Sequence, residues 1–338
     1  MAGKRWKVGA RRFARYGWLV LAYTVLVILW GTVVRATGSG AGCGDHWPLC
    51  GGQLFPHAAQ IATVIEFAHR LTSGLVILLV AGLVYFAFRQ FPPRHPARRF
   101  AGAALLFTLT EGLLGAVLVL FGEVGSNVSV SRTFILSLHL VNTFLLLASI
   151  ALTAQSASLE QQEQNRIGPS WSPRRGMYFA FGAGLLGTLA IAVTGTIAAL
   201  ADTLFHPATL AEGLQWDFSG AASPILRLRI IHPILAMIIG TFLLVVAVHP
   251  LITPAPRAAR QIAPYLLALI LFQFCLGLLN VLLLSPLWIQ VTHLLTADLI
   301  WITLVLLSAV MLSASKVFAA KADEAVHVLD SALVRDPG

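Results

Sequence analysis

The stretch EFAHRLTSGLVILLVAGLVYFAFR, residues 66–89, decides the class of fold. It belongs to an apolar run, 63–88, that is long enough as a helix rising 1.5 Å per residue to cross the roughly 30 Å of a bilayer's hydrocarbon core. A lone strand or loop of this length would leave backbone groups unpaired in lipid. The run therefore predicts a membrane-spanning helix, with three ionisable side chains, Glu66, His69 and Arg70, near its start.

Seven further runs have the same character, which makes eight predicted spans. They cover 17–36, 63–88, 101–121, 134–155, 177–200, 230–248, 262–284 and 289–314. The composition agrees, because 57% of the residues are hydrophobic and only 11% are charged, whereas a soluble domain carries about 25% charged residues. These figures exclude a disordered chain, a nucleic-acid-binding domain and an ordinary soluble enzyme.

The net charge of +9 reflects topology and not a nucleic-acid footprint. Eighteen of the 23 Lys and Arg residues lie at the N-terminus, in the loops that follow even-numbered spans, or in the C-terminal tail. The other five lie at span ends or in loops on the opposite side: Arg35, Arg70, Arg132, Arg227 and Arg229. The positive-inside rule therefore predicts a multi-pass protein of the cell (plasma) membrane with both termini in the cytoplasm, and no nucleic-acid partner.

Spans 1–4 and 5–8 look like two copies of one unit. GTVVRATGSG at 31–40 has a weak echo in VTGTIAALAD at 193–202. One histidine also lies near the start of each even-numbered span: His69, His139, His232 and His293. Because a four-span unit is even, both copies cross the bilayer in the same direction. We therefore predict an all-α membrane protein in which eight transmembrane helices form two parallel-repeat four-helix bundles.

The predicted organisation has five parts. These are a cytoplasmic N-terminal segment (1–16), an N-terminal four-helix bundle (17–155), a cytoplasmic linker (156–176), a C-terminal four-helix bundle (177–314) and a cytoplasmic tail (315–338).

The four histidines are expected at one depth, near the outer edge of the hydrocarbon, because even-numbered spans enter from outside. Ionisable groups there are costly and usually have a partner or a function. Each histidine taken alone could simply bond a neighbouring helix. At matched positions in two repeats, the four favour ligation, and neutral imidazole on facing helices of a bundle is a common axial ligand of haem iron.

One histidine pair in each bundle predicts two bis-histidine haem sites, His69 with His139 and His232 with His293. Zinc or copper would usually require a third or fourth close ligand. In the second half the only nearby carboxylate is Asp298, which five residues separate from His293 and which therefore lies on a different helix face.

The two halves differ in charge beside the first histidine. Glu66 precedes His69 by one helical turn, whereas Arg229 stands at the matching place in the second half. A carboxylate beside a porphyrin edge can take a proton or stabilise a cationic intermediate. The structural alternative is an ion pair of Glu66 with Arg70 or with Arg35. A half with ligands and no acid suits a held cofactor better than a substrate.

The first outer loop, RATGSGAGCGDHWPLCGGQLFP at 35–56, is rich in turn residues and predicts a compact, ordered segment. Cys43 and Cys50 can form a disulfide on the oxidising side of the membrane if their Cα atoms come close. Their spacing is not that of a zinc or c-type haem site. Whether such a pair is a staple or redox-active stays open at this point. Cys275, inside span 7, is interpreted as a small apolar filler.

These motifs resemble the haem A synthase family of membrane enzymes. The resemblance is carried by GTVVRATGSGAGCGDHWPLCGG at 31–52, EFAHRLTSG at 66–74, LHLVNTFLLL at 138–147, IIHPILAMIIG at 230–240 and VTHLLTADLIW at 291–301. It extends over all eight spans, and its first two blocks are the specific ones. One departure is that 201–228 lacks the second cysteine pair that some members carry.

The resemblance implies oxidation of the C8 methyl group of haem O to a formyl group through an alcohol, with haem b as cofactor. It implies that the N-terminal half holds the substrate haem and the C-terminal half the haem b. Carried onto this sequence, the family's functional residues are the substrate haem ligands His69 and His139, the haem b ligands His232 and His293, the essential acid Glu66 and the loop cysteines Cys43 and Cys50. Arg35 is a candidate partner for a haem propionate or for Glu66.

Other functions compete with this one. A b-type cytochrome that exchanges electrons with quinol without modifying haem has the same repeat and histidines, but the one-sided Glu66 and the cysteine loop favour the enzyme. A transporter is disfavoured by the parallel repeat. Haem O synthase is excluded because the aspartates form no cluster for a diphosphate and magnesium. The expected partners are haem O, the lipid bilayer, a haem O synthase and a quinone-type electron acceptor.

Overall fold

The computed structural model describes residues 2–56, 60–163, 173–219 and 224–333. Within these ranges 83% of the residues are helical and no strand occurs. The helices are α1 (Ala2–Ala36), α2 (Ile61–Gln90), α3 (Pro96–Leu120), α4 (Val130–Glu163), α5 (Arg175–Leu204), α6 (Leu210–Phe218), α7 (Pro224–Arg229), α8 (Ile231–Ile252), α9 (Arg257–Leu282) and α10 (Leu287–Leu333). A short 3₁₀ turn, Ser39–Ala41, lies in the first outer loop.

All eight predicted spans coincide with helices that are long and apolar enough to cross a membrane. These segments are Gly9–Ala36, Ile61–Gln90, Pro96–Leu120, Val130–Ser158, Arg175–Leu204, Ile225–Ile252, Arg257–Leu282 and Leu287–Ser313. The all-α, eight-span prediction is thereby confirmed. The orientation of the termini remains a prediction.

Some helices run further than the apolar segments on which the predicted boundaries rest. Helix α4 continues to Glu163, inside the predicted linker 156–176, of which 164–172 lie outside the described residues. Helix α10 continues to Leu333 through most of the predicted tail. Hydropathy marks where a segment leaves the lipid and not where its helix ends, since alanine, glutamine, glutamate and lysine extend a helix readily in water.

The long helices pack in two rings of four. In the first half α1 contacts α2, α2 contacts α3, α3 contacts α4 and α4 contacts α1. In the second half α5, α8, α9 and α10 contact one another in the same cyclic order. The rings touch where α4 meets α5 and α10, and where α1 meets α10. The symmetry that relates the rings remains a prediction.

The contact between the halves is tight and mostly apolar. The ring of Phe144 on α4 stacks on that of Trp301 on α10 with centroids 5.2 Å apart, and the indole N–H of Trp301 donates to the carbonyl of Phe144 at 2.6 Å.

Within the first ring, a Cβ on Gly17 would come within 2.9 Å of Cβ of Ala154, so α1 and α4 approach at backbone distance. Small residues at such crossings are typical of membrane helix pairs.

The sixth span is interrupted beside its histidine. Helix α7 ends at Arg229 and α8 begins at Ile231. Pro233 explains the break, because its ring removes a backbone donor and would clash with the carbonyl of Arg229 in a continuous helix, whereas the first turn of a new helix tolerates it. No proline follows His69 in α2, which runs unbroken. His232 therefore sits at a helix start and His69 well inside one.

Candidate functional site

Each of the two predicted histidine pairs lies within one ring of helices. The imidazole centroids of His232 on α8 and His293 on α10 lie 6.4 Å apart, with the ring planes at 76°. His69 on α2 and His139 on α4 both belong to the first ring of helices, where His69 lies against Gly31 of α1 and His139 lies against Glu111 of α3. All four side chains are half-buried. His232 and His293 thus lie as the repeat predicts, and the pairing of His69 with His139 remains a prediction.

Glycines at matching places let two of these rings lie on a neighbouring helix backbone. A Cβ on Gly31 of α1 would stand 3.2 Å from Cε1 of His69, and a Cβ on Gly195 of α5 would stand 3.0 Å from Cε1 of His232. These glycines open the GTVV and GTIA portions of the two echoing segments. The weak echo thus has a physical content that the sequence analysis did not identify.

Some ring nitrogens of the histidines are buried without a hydrogen-bond partner among the residues that the structure describes. These include Nδ1 of His69 and Nδ1 of His293. Nδ1 of His232 lies 3.2 Å from the hydroxyl of Thr194, which leaves its other nitrogen for another ligand. A buried ring nitrogen without a partner is costly unless something absent from the polypeptide satisfies it.

This donor set fits haem iron. The 6.4 Å between the His232 and His293 centroids accommodates one metal ion bonded at about 2 Å to a nitrogen of each ring. Within the described ranges no group of three or more His, Cys, Asp or Glu could hold a metal ion. A bis-histidine haem needs two imidazoles from the protein as axial ligands and no third protein donor, because the porphyrin supplies the other ligands of the iron.

Glu66 is almost completely buried and is fully engaged by the protein. Its Oε2 accepts from the backbone N–H of Cys43 at 2.8 Å, and its Oε1 accepts from the Arg70 guanidinium at 2.5 and 3.2 Å. Arg70 also donates to the carbonyls of His46 and Leu49, both at 2.6 Å. Of the two ion pairs considered for Glu66, the one with Arg70 is present, and it ties the first outer loop to α2.

Arg35 does not pair with Glu66. It ends α1 and reaches across to the second half, where it donates to the carbonyl of Ala199 at 2.7 Å, the hydroxyl of Thr203 at 2.5 Å and the side-chain carbonyl of Gln290 at 2.8 Å. The alternative in which Arg35 pairs with Glu66 is therefore wrong. Arg70 lies one turn from Glu66 on the same helix and occupies that carboxylate, while Arg35 fastens the two halves together.

The first outer loop is compact, as predicted. Cys43 and Cys50 are at disulfide distance, with Cα atoms 4.5 Å apart and side chains nearly inaccessible. The hydroxyl of Thr63 on α2 donates to the carbonyl of Gly42 at 2.7 Å. A Cβ on Gly42 would come within 2.5 Å of the Ala62 backbone, so only glycine permits this docking. The geometry suits a staple that holds the loop against the first turns of α2.

The second half inverts the charge beside its histidine. Arg229 donates to Asp217 of α6 at 2.5 and 3.0 Å and to Asp202 of α5 at 3.0 Å. The other oxygen of Asp202 accepts from the hydroxyl of Ser285 at 2.6 Å. Where the first half offers a carboxylate one turn before the histidine, the second half offers a cation that two carboxylates neutralise. The two halves therefore differ beside this histidine by more than the replacement of Glu66 by Arg229, because Arg229 is part of a cluster with Asp202, Asp217 and Ser285.

A second carboxylate in the first half was missed. Glu111 lies within α3, and its Oε1 stands 3.1 Å from Nδ1 of His139, at an angle outside hydrogen-bonding geometry. Asn142 and Thr143 of α4 also donate to this carboxylate. The signal was available, because Glu111 is an ionisable residue inside a predicted span, the same criterion that selected the histidines.

Asp298 does not serve His293. It is fully buried on α10, and neither of its carboxylate oxygens has a hydrogen-bond partner. It precedes Trp301 by three residues, and that spacing places it on the face of α10 that contacts α4. The expectation that Asp298 lies on another face than His293 agrees with this position.

The fold and site together define a class: a multi-pass helical membrane protein with paired histidines in each of two helix rings. Residues 14–305 match the COX15-CtaA family, described as cytochrome oxidase assembly proteins. The chain belongs to this family. The resemblance to haem A synthases noted in the sequence is thereby confirmed at the family level.

Individual relatives agree with this assignment in part. A protein of Thermus thermophilus named Protoheme IX farnesyltransferase is 43% identical over 300 residues, which are 86% of this chain and 47% of that protein. Heme A synthase of Alkalihalophilus pseudofirmus is 33% identical over 171 residues, 51% of this chain and 54% of the relative. That of Shouchella clausii is 34% identical over 155 residues, 46% and 49% respectively. The matches span about half the length of each relative.

Proposed function

We propose that this protein is a haem A synthase, which oxidises the C8 methyl group of haem O to a formyl group through an alcohol and so supplies haem A to terminal oxidases. The observation that carries the proposal is the presence of two histidines in each ring, with different charges beside them. In the first ring Glu66 lies one turn before His69 and Glu111 lies 3.1 Å from His139, whereas in the second ring Arg229 lies one turn before His232 and is paired with Asp202 and Asp217. Membership of the COX15-CtaA family and the relatives named Heme A synthase support it.

The two rings divide the work in this proposal. His69 and His139 flank the substrate haem O, and His232 and His293 would hold haem b. Haem b, when bound, supplies one-electron transfer between the substrate site and an external quinone-type acceptor. The surroundings of His232 and His293 suit a resident cofactor, because the carboxylates near His232 are paired with Arg229 and the side chain that contacts His293 is the neutral amide of Gln273.

Glu66 is the proposed acid of the reaction. With water as the oxygen donor, conversion of the methyl group to an alcohol releases two electrons and two protons. Conversion of the alcohol to the aldehyde releases two more electrons and two more protons, and the electrons pass to the quinone-type acceptor. Positive charge that develops at the reacting carbon is stabilised by a fixed carboxylate in a site of low dielectric. Glu66 lies one turn from His69, and Arg70 and the Cys43 amide fix its orientation.

The name of the Thermus relative needs a separate account, because it describes prenyl transfer. This chain matches 47% of that protein, so the name covers a much longer polypeptide. Prenyl transfer from a diphosphate requires clustered aspartates that bind magnesium, and here the aspartates are scattered: Asp45, Asp202, Asp217, Asp298, Asp323, Asp330 and Asp336. We propose that prenylation is not an activity of this chain and that a haem O synthase is instead its functional partner, which hands over a poorly soluble substrate.

One observation favours a b-type cytochrome that exchanges electrons with quinol and modifies nothing. The Glu66 carboxylate is engaged by Arg70 and Cys43 on both oxygens, so its role could be entirely structural. The two functions make opposite predictions for the haem that the protein releases.

The deciding experiment is expression beside a haem O source, followed by haem extraction and mass spectrometry. We expect hydroxymethyl and formyl haem from the wild type and neither from Glu66→Gln. Arg70→Gln is the matched control, because it breaks the same ion pair but leaves the carboxylate. It should retain measurable product if Glu66 acts in the reaction. Recovery of only unmodified haem b from the wild type would establish the cytochrome instead.

A further inference from the structure

Glu111 lies against one face of α4 that carries three polar side chains. His139, Asn142 and Thr143 have the i, i+3, i+4 spacing that places side chains side by side on a helix. Nδ1 of His139 is 3.1 Å from Oε1 of Glu111, and the amide of Asn142 donates to Oε2 at 2.5 Å. Thr143 donates its hydroxyl to Oε1. The contact crosses from α3 to α4.

The amide of Asn142 is itself oriented for this purpose. Its carbonyl accepts from the hydroxyl of Thr110 at 2.6 Å, and its NH₂ group also donates to the carbonyl of Phe107 at 2.8 Å. The NH₂ group therefore points at Glu111 and not away from it. With donors from Asn142 and Thr143, the carboxyl group of Glu111 is held in place as a hydrogen-bond acceptor.

In the described part of the second ring, no carboxylate is held against the histidine of α10 in this way. The side chain that contacts the histidine of α10 is Gln273 of α9, with its amide nitrogen 3.1 Å from Nε2 of His293. Three and four residues after His293 stand Thr296 and Ala297, in place of an asparagine and a threonine. Thr296 donates its hydroxyl to the carbonyl of Thr292 within its own helix. The side chain beside the histidine is thus a carboxylate at Nδ1 of His139 in the first ring and a neutral amide at Nε2 of His293 in the second.

We propose that Glu111 is a positioning residue that acts through His139: its carboxylate, 3.1 Å from Nδ1, orients the ring electrostatically, leaves Nε2 for the substrate haem and makes His139 a stronger electron donor than His293. A carboxylate against the outer nitrogen of a ligating imidazole fixes its tautomer and orientation and raises its basicity, and a more basic axial ligand lowers the reduction potential of the iron. The inference rests on the proposed function, in which His139 flanks the substrate haem.

The consequence is a direction for electron flow. The substrate haem must lose electrons, and an electron-rich ligand makes that loss easier. His232 and His293 would hold the haem that supplies the acceptor, and the neutral amide of Gln273 beside His293 would leave its reduction potential higher. With a carboxylate beside His139 and a neutral amide beside His293, the haem at the first-ring histidines would have the lower reduction potential and the haem at the second-ring histidines the higher one.

The test is a spectroscopic redox titration of the haem-loaded, full-length protein. Glu111→Gln should raise the potential of one haem component by about 59 mV or more, a tenfold change in the ratio of ferric to ferrous affinity for a one-electron couple. Glu111→Asp, which keeps the charge at a longer distance, should raise it by less. Gln273→Glu is the reciprocal variant and should lower the potential of the other component.

The variant His139→Ala identifies the component and separates the two hypotheses. If His139→Ala removes one component and Glu111→Gln leaves that component's potential unchanged, the inference is overturned and the proposed ligation stands. If His139→Ala removes neither component, the proposed ligation itself fails. Should Glu111→Gln fail to fold, a potential in Glu111→Asp equal to that of the wild type overturns the inference equally.

Discussion

Glu66 and Arg70 form a buried ion pair one turn apart on α2, with Nη2 of the arginine 2.5 Å from Oε1 of the glutamate. The same guanidinium holds two carbonyls of the first outer loop. The candidate acid of the substrate site and the cysteine loop are therefore parts of one structure, and a change in either is transmitted to the other.

We expect Arg70→Met to destabilise the fold by about 3–5 kcal/mol, because it leaves the Glu66 carboxylate buried without its partner. The double variant Glu66→Gln, Arg70→Met should recover part of this loss, since neither buried group is then charged. Thermal unfolding in detergent measures both. Strictly additive losses would show that the pair contributes no coupling and that the loop is held by other contacts.

Alanine at either packing glycine should displace the adjacent histidine. A Cβ at Gly195 would lie 3.0 Å from the His232 ring and one at Gly31 would lie 3.2 Å from the His69 ring, so Gly195→Ala should be the more severe. We expect Gly195→Ala to reduce bound haem b and Gly31→Ala to reduce turnover, as read by the pyridine haemochrome spectrum and by product analysis.

The matched control for these variants is Gly112→Ala in α3, where an added Cβ meets no atom within 4 Å. Because alanine favours a helix over glycine by roughly 0.5–1 kcal/mol, this variant should be as stable as the wild type or slightly more so. If Gly112→Ala lost haem as readily as Gly195→Ala, close packing against the histidines would not be the cause.

We expect Arg35 to stabilise the contact between the two halves and to play no part in the chemistry of Glu66. Arg35→Lys keeps the charge but cannot place two donating nitrogens on Ala199, Thr203 and Gln290 at once, so lysine should not rescue the loss seen in Arg35→Ala. We expect a loss of about 1–3 kcal/mol in unfolding free energy for either variant. Full stability in Arg35→Lys would mean that charge alone matters there.

The loop cysteines should be oxidised in the folded protein. Of the three cysteines, only Cys275 should react when thiols are titrated under denaturing, non-reducing conditions. Closing so short a loop is expected to contribute about 2–3 kcal/mol of stability, so Cys43→Ser with Cys50→Ser should lower the unfolding temperature. Three reactive thiols would remove the disulfide from the account.

Much of the fold was predictable because lipid imposes a simple rule. Long uncharged runs must be helices there, and that rule located all eight spans. The same rule singled out His69 and its three counterparts, since ionisable groups in spans are costly. Local spacing also made the Glu66–Arg70 pair foreseeable, because residues four apart share a helix face.

The features that escaped prediction depend on contacts between distant helices. Arg35 binds groups on α5 and α10, more than 160 residues away, and nothing in its neighbourhood in the sequence indicates them. The role of Gly31 appears only when the His69 ring is laid against it. The Glu111 contact with His139 requires the register of α3 against α4, which hydropathy does not determine.

The central claim is a division of labour between two histidine pairs, and the haem content of two single variants tests it most directly. Purified His232→Ala should have lost most of its haem b, whereas purified His69→Ala should keep haem b and fail to convert haem O. Equal loss of haem from both variants, or full conversion by His69→Ala, would contradict the account.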